Sequence, residues 1–198
     1  MSDKKRPYRM KRRAEQEART RRRITESAVE LHGTLGPART SMKAVAERAG
    51  VPRSTVYRHF PDEEALFGAC SAHWMAENPP PDATRWEKIE NPEARLSTAL
   101  EELYAYYGRA GAMLDKLLRD EATVPMVAEL FAPYRQLMAM IAENLMRGRG
   151  LRGKARDRTR AATAHAISFR TWQQLTEEGG LRDEEAAELM RRLIRAAA

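Results

Sequence analysis

The chain has 198 residues, 42% hydrophobic and 32% charged. That is enough apolar residue for one medium-sized domain or a small module joined to a larger one, and too much for wholesale disorder. Long stretches of Ala, Leu, Glu and Arg, with no alternating β-branched runs, predict an all-α protein. No apolar run approaches the ~20 residues that cross a bilayer, and the single cysteine excludes a disulfide framework or a cysteine-based zinc site. The expectation is a cytoplasmic protein with no membrane partner.

The net charge of +7 is unevenly placed. Through Phe60 there are 16 Lys/Arg against 6 Asp/Glu, and beyond it 19 against 22. Such segregation predicts that one end meets a polyanion while the other has a different task.

In chain order, residues 1–14 read as a flexible basic arm. Its Lys4, Lys5, Arg6, Arg9, Lys11, Arg12 and Arg13 can track phosphates or stay solvated. From Glu15 to about Leu35, Ile24, Ala28, Leu31 and Leu35 recur at the spacing of one buried helical face, and Gly36-Pro37 stops the helix. Thr40-Ser41 predicts an N-cap for a short helix, Met42 to Ala49, and Gly50 ends it by accepting a left-handed backbone. Pro52 suits the start of the next helix, Arg53 to His59, and Pro61-Asp62 begins another that reaches about Glu77. Asn78-Pro79-Pro80-Pro81-Asp82 cannot continue a helix and marks a boundary.

Beyond it, Leu96, Leu100, Leu103 and Tyr107 line one helix, and Met113, Leu114, Leu117 and Leu118 a short one. Val127 to Leu145 forms a long helix; a basic glycine-rich loop, Arg147 to Gly153, precedes two last helices at about 155–178 and 183–197.

The two short helices around Gly50 have the dimensions of a helix-turn-helix, whose second helix enters the major groove. On that helix Val56 and Phe60 face the core, leaving Arg53, Ser54, Thr55, Tyr57, Arg58 and His59 outward. Arg53 can offer two donors to a guanine edge, Ser54 and Thr55 suit bases or phosphates, and Tyr57 and His59 suit phosphates. Thr40 and Lys43 would add phosphate contacts beside exposed backbone N–H groups.

The segment from Thr40 to Phe60, TSMKAVAERAGVPRSTVYRHF, resembles the signature of the tetracycline-repressor (TetR) family, and the likeness covers about residues 20–70. The resemblance implies a three-helix DNA-binding domain over 15–61, a connecting helix over 62–78 and a helical ligand-binding and dimerisation domain over 79–198. That makes about nine helices, as the apolar pattern also suggests. The chain carries Glu63 where members of the family commonly have a lysine, which removes one phosphate contact the resemblance implies.

By the same resemblance the second domain takes a small-molecule effector. Trp74, Tyr104, Tyr107, Met113, Leu117, Phe131, Tyr134 and Met138 make an adaptable apolar lining, although residues at such spacing also fill ordinary cores. The last helices carry Ala162, His165, Phe169 and Trp172, then Leu189, Met190 and Leu193, which the resemblance implies pair with a twofold mate.

Other chemistry is weaker. Gly148 to Gly153 matches G-x-G-x-x-G, but no strand precedes it. The four histidines show no metal-ligand spacing, and Cys70 near His73 reads as a small core residue rather than a nucleophile. The expectation is no enzyme, no metal and no cofactor. With the resemblance, the reading predicts a sequence-specific, homodimeric transcriptional regulator, a repressor released from operator DNA by a small molecule. The alternative is a helical architectural DNA binder or scaffold without an effector.

Overall fold

The computed structural model describes residues 5–198, with side chains from Tyr8 onward. Lys4 lies outside the described residues, as do the side chains of Lys5 and Arg6. The described residues form ten α-helices and no strand: α1 Lys5–Thr34, α2 Met42–Ala49, α3 Arg53–His59, α4 Glu63–Glu77, α5 Ala83–Trp86, α6 Pro92–Asp120, α7 Pro125–Met146, α8 Gly153–Ala166, α9 Phe169–Gln173 and α10 Asp183–Ala197. A 3₁₀ turn, Pro37–Arg39, precedes α2, and a π turn, Gln174–Glu178, follows α9. The helices gather into two compact units, one running to Glu77 and including Lys116–Met126, the other comprising Asn78–Asp115 and Val127–Ala198.

In the first unit α1 packs on α2, α3 and α4. Its core holds Ile24, Ala28, Val45, Ala49, Val56, Phe60, Leu66 and Phe67, all buried. The helix α1 begins ten residues before the apolar pattern does. Lys, Arg, Met, Gln and Ala all favour helix, but apolar periodicity appears only where a helix meets a core, so the pattern is blind to a helix that projects into solvent.

The turn between α1 and α2 is held from outside. Arg119, in the last turn of α6, donates to the Leu35 carbonyl (2.8 Å), while the Ala38 N–H donates to Asp120 Oδ2 (2.9 Å). Arg119 and Asp120 are themselves paired (2.8 Å). Gly36, at φ +92°, lies under this clamp, and a Cβ there would run into the Arg119 guanidinium and the Asp120 carboxylate.

Nearby, Cys70 and His32 meet inside the domain at 3.3 Å, and the thiol donates to the Phe67 carbonyl. Burial lowers the pKa of His32 to about 4, against the pull of Asp120, and pushes the Cys70 thiol up to about 12. A thiol so raised stays protonated at neutral pH.

The second unit differs from its predicted layout in three places. The two helices expected over Leu96 to Leu118 are one, α6, of 29 residues. Gly111 does not break it; a Cβ there would sit 3.3 Å from the Trp172 ring, so its smallness serves packing. An additional short helix, α5, follows the proline run. Asp82 caps it, accepting from the Thr84 N–H (3.1 Å), and Trp86 plugs into the core, donating from Nε1 to Glu102 (2.9 Å). The single helix expected near 155–178 is broken after Ala166. There the Tyr104 hydroxyl donates to the Ala166 carbonyl (2.8 Å) and the Tyr107 hydroxyl to that of Ile167 (2.7 Å). Two buried hydroxyls thus satisfy carbonyls freed by the break. Phe169 stacks edge-on against Tyr107, and Trp172 donates to Asp183 (2.8 Å).

Buried Arg95 ties the loops at this unit's edge by donating to the carbonyls of Ile89 (2.6 Å) and Arg147. Helix α10 lays Ala186, Ala187, Met190 and Ile194 inward and packs on α8, whose Thr159 and Thr163 bury their hydroxyls against backbone carbonyls one turn back.

Candidate nucleic-acid interface

The reading edge is built by a tight turn and two short helices. Ser41 caps α2, accepting from the Ala44 N–H (3.2 Å). Gly50, at φ +61° and ψ +41°, reverses the chain and donates its N–H to carbonyls of the last turn of α2. Pro52, whose φ of −57° suits a helix start, leads into α3. With only seven residues, α3 is positioned by what it buries rather than by its own stability. Val56 and Phe60 are fully buried, and the Arg21 guanidinium of α1 lies 4.1 Å from the centre of the Phe60 ring while donating to the His59 carbonyl (2.6 Å). A second brace joins α1 to α2, where Arg48 grips Glu30 with both nitrogens of its fork, the Nε contact at 2.8 Å.

The opposite side of α3 is open. Arg53, Ser54, Tyr57 and Arg58 are exposed, and Thr55 and His59 half-buried. Arg53 lies over the Tyr57 ring at 5.3 Å and donates to its hydroxyl (3.0 Å), so the two residues are held together before any ligand arrives. Burial, with Arg58 and Arg21 nearby, lowers the pKa of His59, and its Nε2 has no partner among the described residues. Lys43 is exposed beside Glu47 (3.8 Å). Thr40 is half-buried, donating its hydroxyl to the Gly36 carbonyl (2.8 Å), so it is less free than its position in the sequence suggests. Glu63 and Glu64 occupy the exposed first turn of α4, where negative charge complements the helix dipole. All eight residues expected at the interface therefore fall in one domain, six of them on α3. Arg21, which holds α3 in place, has no local signal in the sequence: its partner is 38 residues away.

Residues 24–70 match the family model of the bacterial regulatory proteins of the tetR family. That stretch spans α2, α3 and parts of α1 and α4, so the tetR-family match falls on the helix-turn-helix and its braces. An HTH-type transcriptional repressor of Mycobacterium tuberculosis is 27% identical over 146 residues, spanning 74% of this chain and 67% of that protein. In fold, the chain is similar to a TetR-like transcriptional regulator from Rhodococcus sp. RHA1, with a TM-score of 0.64 at 18% identity, over 89% and 93% of the two chains. It is also similar to the transcriptional regulator FadR from Bacillus subtilis, solved in complex with stearoyl-CoA, with a TM-score of 0.54 at 14% identity, over 88% and 96%.

The residues expected to line an effector site are divided between the two units. Trp74 and Leu117 belong to the first unit, and Tyr104, Tyr107, Met113, Phe131, Tyr134 and Met138 to the second. Within the second, Phe131 and Tyr134 pack edge to face at 5.3 Å, and the Tyr107 hydroxyl lies 3.9 Å from the Met138 sulfur. Burial drives the pKa of Tyr107 well above its ordinary value, so it stays a neutral donor. The expected dimer face also divides. Phe169, Trp172 and Met190 are buried in their own unit, whereas His165, Leu189 and Leu193 are exposed and Ala162 half-exposed. The buried three share the helical spacing of the exposed ones, and spacing cannot say which neighbour a face meets.

Proposed function

We propose that this protein is a homodimeric, operator-binding repressor that a small apolar or amphipathic molecule releases from DNA. The observation that carries the reading is the exposed Arg53–Tyr57 pair, flanked by Ser54, Thr55 and Arg58, on a short helix anchored by Val56 and Phe60. Its dimensions and donors suit base edges in the major groove and the phosphates beside them. One such helix reads few base pairs, so a twofold pair reading half-sites about one turn of DNA apart supplies the specificity. The exposed Leu189 and Leu193, beside an open groove lined by Glu184, Glu185, Glu188 and Arg192, support α10 as part of the pairing surface.

The effector reading draws on the stearoyl-CoA held by the Bacillus subtilis regulator of similar fold, and on the aromatic cluster of Tyr107, Phe131 and Tyr134. Release requires only that the effector bind better to the geometry that cannot engage both half-sites, typically with ~1–3 kcal/mol of coupling. Selection of bound duplexes from a random pool, followed by release assays with acyl and aromatic compounds, tests the whole reading. Enrichment of a twofold-symmetric motif supports it. Salt-sensitive binding with no enriched motif overturns it in favour of an architectural DNA binder.

A further inference from the structure

The N-terminal half of α1 projects from its domain as a charged rod. From Tyr8 to Arg19 every residue is exposed, and the continuous helix runs about 20 Å from Tyr8 to Arg21 at 1.5 Å per residue. Between Tyr8 and Arg23 there are eight Lys/Arg against two Glu. Arg13 pairs with Glu17 (3.2 Å) and Arg22 with Glu26 (2.7 Å), but among the described residues Arg9, Lys11, Arg19 and Arg23 pair with no carboxylate. Arg9 and Arg13, and Arg19 and Arg23, are like charges four residues apart, an arrangement that weakens a helix left alone in water and is relieved beside a polyanion.

The position of the rod identifies that polyanion. At Arg21 the helix crosses the end of α3, donating to the His59 carbonyl. Arg13 and Arg9 lie two and three steps of four residues before Arg21 on the same ridge, with Glu17 between Arg21 and Arg13 and paired with the latter, so a net-cationic line starts at the end of the recognition helix and leads away from it. A membrane fits poorly: the two large apolar side chains, Tyr8 and Met10, are 63% and 67% exposed and, two positions apart, project from opposite sides of the helix, leaving no apolar face to bury.

We propose that residues 8–23 of α1 form a second DNA-contacting element, a helical arm that lies along the phosphate backbone flanking the base pairs read by α3. Resting on the reading of the protein as a DNA-binding regulator, it adds a sequence-independent share of affinity and lengthens the site beyond the bases contacted.

The test is a salt titration of the full-length protein on its selected duplex, by fluorescence anisotropy, with wild type and the triple variant Arg9→Gln/Lys11→Gln/Arg12→Gln. These side chains touch no core, and glutamine keeps helix propensity close to theirs. Every phosphate that the variant leaves unneutralised makes the slope of log K on log salt shallower by about 0.9, so a decrease of about 2–3 per arm is expected, with protection shortened at both outer ends of the hydroxyl-radical footprint. The variant Arg9→Lys/Arg12→Lys keeps the wild-type slope, because phosphates read charge. A wild-type protein that binds no duplex at low salt overturns the DNA-binding reading itself. Binding with a slope unchanged by the triple substitution overturns the arm alone. So does tight binding of wild type, but not of the triple variant, to phosphatidylserine–phosphatidylcholine vesicles while DNA affinity stays equal.

Discussion

Arg53 and Tyr57 restrain one another in the free protein, through the hydroxyl at 3.0 Å and the ring face at 5.3 Å. A long side chain already ordered loses less entropy when it meets a base edge. Arg53→Ala is expected to weaken operator binding by about 1–3 kcal/mol and to relax preference at one base pair per half-site. Tyr57→Phe keeps the stacking surface and is expected to cost less. Equal affinity of both variants and wild type in a gel shift would remove α3 as the reading element.

His32 makes a different prediction at this scale. Its folded pKa of about 4 lies below the value of about 6.5 expected in an unfolded chain, so on acidification the unfolded state takes up the proton first. The stability it contributes is complete above pH 6.5 and is lost as pH falls towards 4, in total on the order of 3 kcal/mol. For Asp120, burial would raise the pKa, but Arg119 and the Ala38 N–H hold it below the usual carboxylate range, so its loss comes at still lower pH. Urea midpoints measured from pH 7 to 4 should fall for wild type and change far less for His32→Gln. Parallel curves would show that His32 is not the group responsible.

Two glycines separate turn chemistry from packing at the level of the element. Both Gly36 and Gly50 have positive φ, but nothing lies within 4 Å of a Cβ at Gly50, whereas one at Gly36 strikes the clamp formed by Arg119 and Asp120. Gly50→Ala is expected to cost about 1–2 kcal/mol from backbone strain alone. Gly36→Ala should cost about 3 kcal/mol or more, because Arg119 must also leave the Leu35 carbonyl. Thermal denaturation of the two variants orders them, and a smaller effect at Gly36 would contradict the clamp.

The same elements show what can be read from sequence. Ser41, Gly50 and Pro52 act locally, and the bounds of α2 and α3 follow from them. The break after Ala166 has no local signal, because the hydroxyls that stabilise it, on Tyr104 and Tyr107, come from some sixty residues earlier. For α6, glycines at 108 and 111 suggest a stop, yet Gly111 makes room for Trp172. Local chemistry is legible; spacing set by distant partners is not.

For the molecule as a whole, the division of the expected dimer face separates two kinds of damage. Leu193 is 50% exposed and Leu189 37%, so Leu189→Glu/Leu193→Glu should leave each chain folded, shift sedimentation towards monomer and weaken operator binding by roughly 100-fold or more, by analogy with central residues of other interfaces. Phe169→Ala, inside the chain's own core, should instead lower stability by about 3–5 kcal/mol with assembly following only indirectly. A double leucine variant that remains dimeric would exclude α10 from the pairing surface. The charge partition between the two parts is visible in composition, and the reading edge follows from pattern and turn chemistry; assigning apolar faces to core or partner needs coordinates.

Cys70 is the only cysteine in the chain and is 2% exposed, between α1 and α4. A thiol-specific dye can therefore react only when that seam parts, and its labelling rate becomes a clock for local opening of the reading head. Operator duplex that clasps both α3 and the arm of α1 should slow this clock, giving a readout of engagement that requires no engineered label.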